Sequence, residues 1–176
     1  MRIVIVYESM FGNTHAVAQA VAAGLSDSGE VVVARVGEVS AEQVENADLL
    51  VVGGPTHAHG MSSSQSRKGA PDYVERSHGD LALEPEATGE GLRDWFHAMG
   101  TSRGRSAAFD TRVDGPVLLT GHASKGIADR LHKHGRTLVI EPESFLVDKH
   151  NHLLPGELER ASAWGADIAA HMLLPR

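Results

Sequence analysis

A doubly wound α/β sandwich is the fold class this sequence predicts, and three observations predict it. Strand-like apolar runs alternate with helix-like runs along the chain. Two of those runs, at the first and third strand positions, are almost wholly apolar, as expected when helices cover both faces of a parallel sheet. Glycine- and hydroxyl-bearing turns stand at the ends of these two runs, where such sheets bind their ligands.

Residues 2–7 form the first strand, and the spacing of Val17, Val21 and Leu25 predicts a helix over 13–27. The β-branched run at 31–36 reads as the second strand. A short polar helix over 41–46 leads to a third strand, Asp48-Leu49-Leu50-Val51-Val52-Gly53-Gly54. The fourth and fifth strands are expected at Ser106–Thr111 and Thr137–Ile140, with helices at about 91–98 and 123–135. A last helix over 156–173 rests on Leu158, Ala161, Gly165, Ile168 and Met172, spaced three and four apart, with Pro155 just before it. Right-handed crossovers leave few topologies for such a set. Residues 61–90 break the rhythm with Ser62-Ser63-Ser64, Gly69-Ala70-Pro71 and Glu84-Pro85-Glu86, and read as a long polar connection inside one domain spanning 1–176.

Composition narrows the chemistry. With no cysteine, disulfide frameworks, thiolate metal sites, cysteine nucleophiles and thiol redox chemistry are excluded. The net charge of −7, with no basic block, argues against nucleic acid as a partner. No stretch reaches the roughly 20 apolar residues of a membrane helix, so no membrane partner is expected and the expected location is the cytoplasm. Eleven histidines include the pairs His57/His59, His132/His134 and His150/His152. Positions two apart on a helix diverge, so His132 and His134 do not share one ion. Scattered surface histidines are expected, and no metal site. There is no Gly-x-Ser-x-Gly elbow, and the first turn lacks the Gly-Lys-Ser/Thr end of a nucleoside-triphosphate loop.

Two loops carry the functional reading. The first strand runs directly into Ser9-Met10-Phe11-Gly12-Asn13-Thr14 and then into a helix. A helix N-terminus offers unpaired N–H groups and a positive dipole end, so a phosphate is its natural guest. Ser9, Asn13 and Thr14 add polar donors, and Gly12 lets backbone approach a ligand closely. The third strand ends in Gly53-Gly54-Pro55-Thr56-His57-Ala58-His59-Gly60, where glycines admit a flat ring and Pro55 stiffens the loop.

Strand 1, the Ser9–Thr14 turn and the Gly53–His57 loop resemble the flavodoxin-like family over essentially the full length. Ser-Met-aromatic-Gly is closer to its broader quinone-reductase branches than to the small electron carriers. The resemblance implies a five-stranded parallel sheet of order 2-1-3-4-5 with helices on both faces. It also implies binding of flavin mononucleotide (FMN), with Ser9, Met10, Phe11, Gly12, Asn13 and Thr14 around the phosphate. Pro55, Thr56, His57, Ala58, His59 and Gly60 would lie along the ring, and Asp110, Thr111 and Arg112 near its pyrimidine side. Thr56 would hydrogen-bond the flavin, and His57 would stack on the ring or lie at its edge. Asp110 and Arg112 carry opposite charges, which leaves the sign of the field at the ring open, and Arg112 reads equally well as half of a surface pair. Phe11 departs from the carrier pattern, which has a hydroxyl residue there. Neither the 54–60 loop nor the 110–115 loop contains Trp, Tyr or Phe to sandwich the ring. The implied function is electron transfer or flavin-dependent reduction, with a redox partner protein or a small quinone-like acceptor and no protein residue marked as catalytic. The alternative is a flavin-free scaffold or interaction module of the same fold.

Overall fold

The computed structural model describes residues 1–57 and 59–174. The chain opens with β1 (Arg2–Tyr7), α1 (Asn13–Leu25), a 3-10 turn and β2 (Glu30–Arg35). Next come α2 (Ala41–Glu45), β3 (Leu49–His57), the two-residue β4 (Gly60–Met61), α3 (Ser64–Lys68) and α4 (Ala70–Arg76). The second half holds α5 (Leu92–Ala98), β5 (Gly104–Val113), α6 (Val117–Thr120), α7 (Ala123–Lys133), β6 (Arg136–Leu138), β7 (Glu143–Val147) and α8 (Glu157–Met172). The sheet order is β2-β1-β3-β5-β6, all parallel, with β7 also paired to β5. That is the expected order, with β5 as the fourth strand position.

Alternation along β1 explains the two-sided core. Ile3, Ile5 and Tyr7 point to one face, where Val17, Val21, Phe109, Phe145, Trp164 and Ile168 meet them. Val4 and Val6 point to the other, against Leu92, Phe96, Ile127 and Leu131. Helices α1 and α8 cover the first face, in part because both carry a glycine at their contact. A Cβ on Gly24 would lie 2.0 Å from the Ser162 carbonyl oxygen, and one on Gly165 would lie 2.4 Å from that of Val21. Within α8, Leu158 faces outward and Trp164 takes the buried position that the spacing argument overlooked.

The structure adds detail to two expectations. The fifth strand is split: β6 pairs with Gly104–Ser106, and β7 resumes the same edge along Phe109–Val113. The interruption contains Pro142, which has no N–H to give to the ladder. The long polar connection 61–90 contains two short helices, α3 and α4. Ser63 and Ser66 exchange side-chain and backbone hydrogen bonds across the first turn of α3, so a serine run that reads as loop is a helix start.

Candidate functional site

The C-terminal ends of β1, β3 and β5 enclose a cleft lined by the Ser9–Thr14 turn, Pro55–His57, Thr111–Val113, Val147 and Asn151. Parallel strands bring these segments together because each loop leaves the sheet at the same edge. The cleft is narrow, about 50 Å³. Small-molecule sites generally offer roughly 300–1,000 Å³, so the space beyond the turn must widen before a flat ring can enter.

The turn is held from several sides. Gly12 adopts the left-handed conformation (φ 90°), and its N–H donates to Ser9 Oγ at 3.1 Å. No side chain caps α1, so the N-terminal N–H groups of a 13-residue helix lack a side-chain acceptor among the described residues. Thr14 Oγ1 and Thr111 Oγ1 lie 2.7 Å apart. Asn13 Nδ2 donates to the Asn151 carbonyl at 2.6 Å. The Met10 side chain is buried and its carbonyl accepts the Glu84 N–H at 2.8 Å. The Glu84 carboxylate in turn accepts from Arg35 Nη2 at 3.1 Å and lies 3.2 Å from His15 Nδ1, whose ring stacks on Tyr7. Phe11 leans away from this network against Tyr73, with ring centroids 5.8 Å apart.

Along the second loop, Thr56 Oγ1 accepts the Ala123 N–H at 2.8 Å, which commits one lone pair to the start of α7. His57 lines the cleft. Burial, together with the nearby Arg67 charge, lowers its pKa below the usual histidine value, so the ring is neutral at pH 7. His59 is exposed with a positive φ and bridges to Gly121, and Gly60 pairs with His57 in β4. Neither His59 nor Gly60 lines the cleft. Ala58 lies outside the described residues.

At the end of β5, Asp110 and Thr111 have different surroundings. Thr111 enters the cleft, whereas Asp110 is fully buried against α7, where its Oδ2 accepts the Ser124 N–H at 2.7 Å. Asp110 is thus a helix-start acceptor, which corrects its expected place beside a ring. Burial raises its pKa, against the lowering effect of hydrogen bonds from Ser124, Ser144 and Thr56. Arg112 borders the cleft, but its Nη1 donates to the Val113 and Gly115 carbonyls and to Thr120 Oγ1. Its charge is spent on shaping the loop after β5 rather than on a surface pair with Asp110.

Sequence reasoning missed a buried polar network behind the second loop. Glu8, almost fully buried, accepts from Ser62 Oγ and from the Leu92 N–H at 2.8 Å. Ser62 Oγ also accepts from Arg67 Nη1 at 3.0 Å, and the buried Arg67 reaches the Gly89 carbonyl and Asp94. An arginine in a polar run carries no signal of burial; an acidic residue directly after an apolar strand, Glu8, is the one signal that could have pointed to a need for partners. A roomier hollow of about 310 Å³ lies between α2 and α5, without converging donors of this kind. Among the described residues, no group of three or more His, Asp or Glu gathers as a metal site, and no helix is long and apolar enough to cross a membrane.

Comparison with known proteins places this geometry. A family model described as Flavodoxin matches residues 5–83. No curated protein matches the chain. Among solved structures, flavodoxin 1 from Bacillus cereus superposes with a TM-score of 0.67 at 18% identity, covering 97% of this chain and 99% of that one. A flavodoxin from the domain Archaea gives 0.65 at 21% identity, with 98% and 99% covered. A flavodoxin WrbA-like protein from Agrobacterium tumefaciens gives 0.57 at 20% identity, with 97% and 96% covered.

Proposed function

We infer that this chain, which has the fold of flavodoxins and matches a Flavodoxin family model over residues 5–83, binds FMN without a covalent bond and serves electron transfer or flavin-dependent reduction. The observation that carries this reading is the uncapped N-terminus of α1, entered through left-handed Gly12 and opening on the cleft. A phosphate monoester there would take its hydrogen bonds from the first-turn N–H groups and from the Ser9 hydroxyl, and would be held by the helix dipole. The turn itself contains no lysine or arginine, so these neutral donors carry the binding.

The isoalloxazine would lie toward the mouth, between Pro55–His57 and Thr111–Val113, once that space has opened. A bound flavin would supply the redox chemistry itself, and the protein would supply position and electrostatics. Neutral His57 adds no charge beside the ring, and Arg112 keeps its positive charge on the loop wall. The partner would be a redox protein or a small quinone-like acceptor.

A flavin-free scaffold is the second reading, and the width of the cleft favours it, together with the engagement of Asn13, Thr14 and Thr56 by protein groups. Titration of the purified chain with FMN and with riboflavin separates the two. The leading reading expects quenching of flavin fluorescence that saturates, with FMN bound at least tenfold more tightly than riboflavin. Absence of quenching would establish the scaffold reading, and equal affinity for the two flavins would remove the phosphate from the argument. With flavin bound, NAD(P)H-dependent quinone reduction by the protein alone marks an enzyme, and reduction only with an added reductase marks a carrier.

A further inference from the structure

A second cleft, of about 470 Å³, lies beside the first and is lined in part by Tyr73, Arg76, His78, Asp80, Lys149 and His150. We propose that it binds a nucleoside phosphate, with the phosphate between Arg76 and Lys149 and the base against Tyr73. The proposal goes beyond the FMN reading and does not depend on it.

Charge is the first argument. The chain carries a net charge of −7, yet this cleft gathers two permanent cations and two imidazoles against one lining carboxylate, Asp80. The ion-paired arginines among the described residues are Arg35, Arg67 and Arg160, each bound to a carboxylate. Arg76 and Lys149 have no such partner among the described residues. Arg76 uses only Nε within the protein, donating to the Asp72 carbonyl at 3.1 Å. The neighbouring Asp148 is occupied by its own loop, accepting the N–H groups of His150 and His152 at 2.8 and 2.9 Å.

Shape is the second argument. A bare phosphate would need neither this volume, which falls within the usual range for small-molecule sites, nor an aromatic wall. Tyr73 is 46% exposed, with one side of its ring supported by Phe11. A planar base stacks favourably on such a face, and paired cations supply the charge-assisted hydrogen bonds that a phosphate takes.

Position is the third. The 148–152 segment presents Asn151 to the first cleft and Lys149 with His150 to the second, and Phe11 belongs to the turn that lines the first. The two clefts therefore share a wall made by the Phe11–Tyr73 pair and the Asn13–Asn151 bond. Phe11, the departure from the carrier pattern, acts here as the backing of a second site.

The test titrates the full chain with ADP, with adenosine and inorganic pyrophosphate as comparison ligands, following backbone amide shifts by NMR with and without saturating FMN. The expected result is saturable ADP binding that shifts Tyr73, His78, Lys149 and His150 and that FMN does not displace. Adenosine and pyrophosphate should each bind at least tenfold more weakly than ADP. The exposed double variant R76Q/K149Q should weaken ADP at least tenfold while leaving FMN quenching unchanged. The proposal is overturned if ADP shifts Gly12–Thr14 instead and competes with FMN, if ADP does not bind saturably, or if the double variant binds ADP as the parent does. A chain that fails to bind FMN still answers the ADP question, so the two readings fail separately.

Discussion

The hydroxyls of Thr14 and Thr111 lie 2.7 Å apart across 97 residues of sequence, joining the first turn of α1 to the end of β5 at the wall of the cleft. Both residues are buried. The bond makes one rigid unit of the turn that would hold a phosphate and the strand end that would face a ring. It also uses one hydroxyl hydrogen that a ligand would otherwise receive.

Thr14→Val leaves the Thr111 hydroxyl buried without its partner, which costs about 1–3 kcal/mol. Thr111→Val should cost a similar amount. The double variant T14V/T111V removes both polar groups, so its loss should be smaller than the sum of the two single losses. Urea unfolding of the four proteins measures this. Strictly additive losses would show that the two hydroxyls do not interact in solution.

The contact of α1 with α8 yields a prediction in which two effects compete. Replacing a helical glycine by alanine gains about 0.8–1.0 kcal/mol of helix propensity. At Gly24 the new Cβ would lie 2.0 Å from a backbone oxygen of α8, and overpacking of this kind costs about 1–3 kcal/mol or more. G24A and G165A should therefore both be destabilised. Gly126 in α7 is the control, because its Cβ would meet only the flexible end of Met61 at 3.6 Å. G126A should gain about 0.5–1 kcal/mol, read as a higher urea midpoint at unchanged slope.

The central parts of this molecule were legible because their pattern has one physical cause. The apolar runs of β1 and β3 lie buried under helices on both faces, and the Ser9–Thr14 turn sits where a strand hands over to a helix. Legibility fails where short-range chemistry replaces periodicity. Helix α3 has five residues and is announced only by the reciprocal Ser63–Ser66 cap. The fifth strand was read as far as β6, but its continuation β7 escaped because the polar stretch Glu141-Pro142-Glu143-Ser144 interrupts the apolar pattern. The place of Asp110 was not readable, since it is set by the Ser124 N–H at the start of α7, which meets it only in space. Arg67 was not readable, since its burial depends on Glu8, Ser62, Gly89 and Asp94 meeting in space.

Glu8 and Asp110 set a pH dependence of unusual sign for carboxylates. Burial raises both above their unfolded values of 4.5 and 3.8, despite hydrogen bonds that lower them. Between the unfolded and the folded pKa, the native state binds more protons than the unfolded chain, so stability falls as pH rises through that window. The penalty is absent below the unfolded value and complete above the folded one. Asp110→Asn keeps an oxygen for the Ser124 N–H and removes the charge, so it should make the slope of stability against pH more positive between pH 4 and 8. Urea unfolding at several pH values reads this directly, and an unchanged slope would refute the assignment.

Arg67 links that buried acid to the candidate site, and its removal should be felt in two places. Arg67→Met withdraws the guanidinium from Ser62, Gly89 and Asp94, and leaves Glu8 buried with no cation close by. Breaking a buried charged network from one side costs about 3–5 kcal/mol. E8Q/R67M should recover part of that loss, because the remaining buried group is then neutral. The second effect is electrostatic. Arg67 adds to burial in holding the His57 pKa below 6.5, so its loss should move the His57 titration upward. Histidine NMR across pH 4 to 8 measures that shift in any variant that folds, and a His57 titration unmoved in R67M would mean that burial alone holds it down.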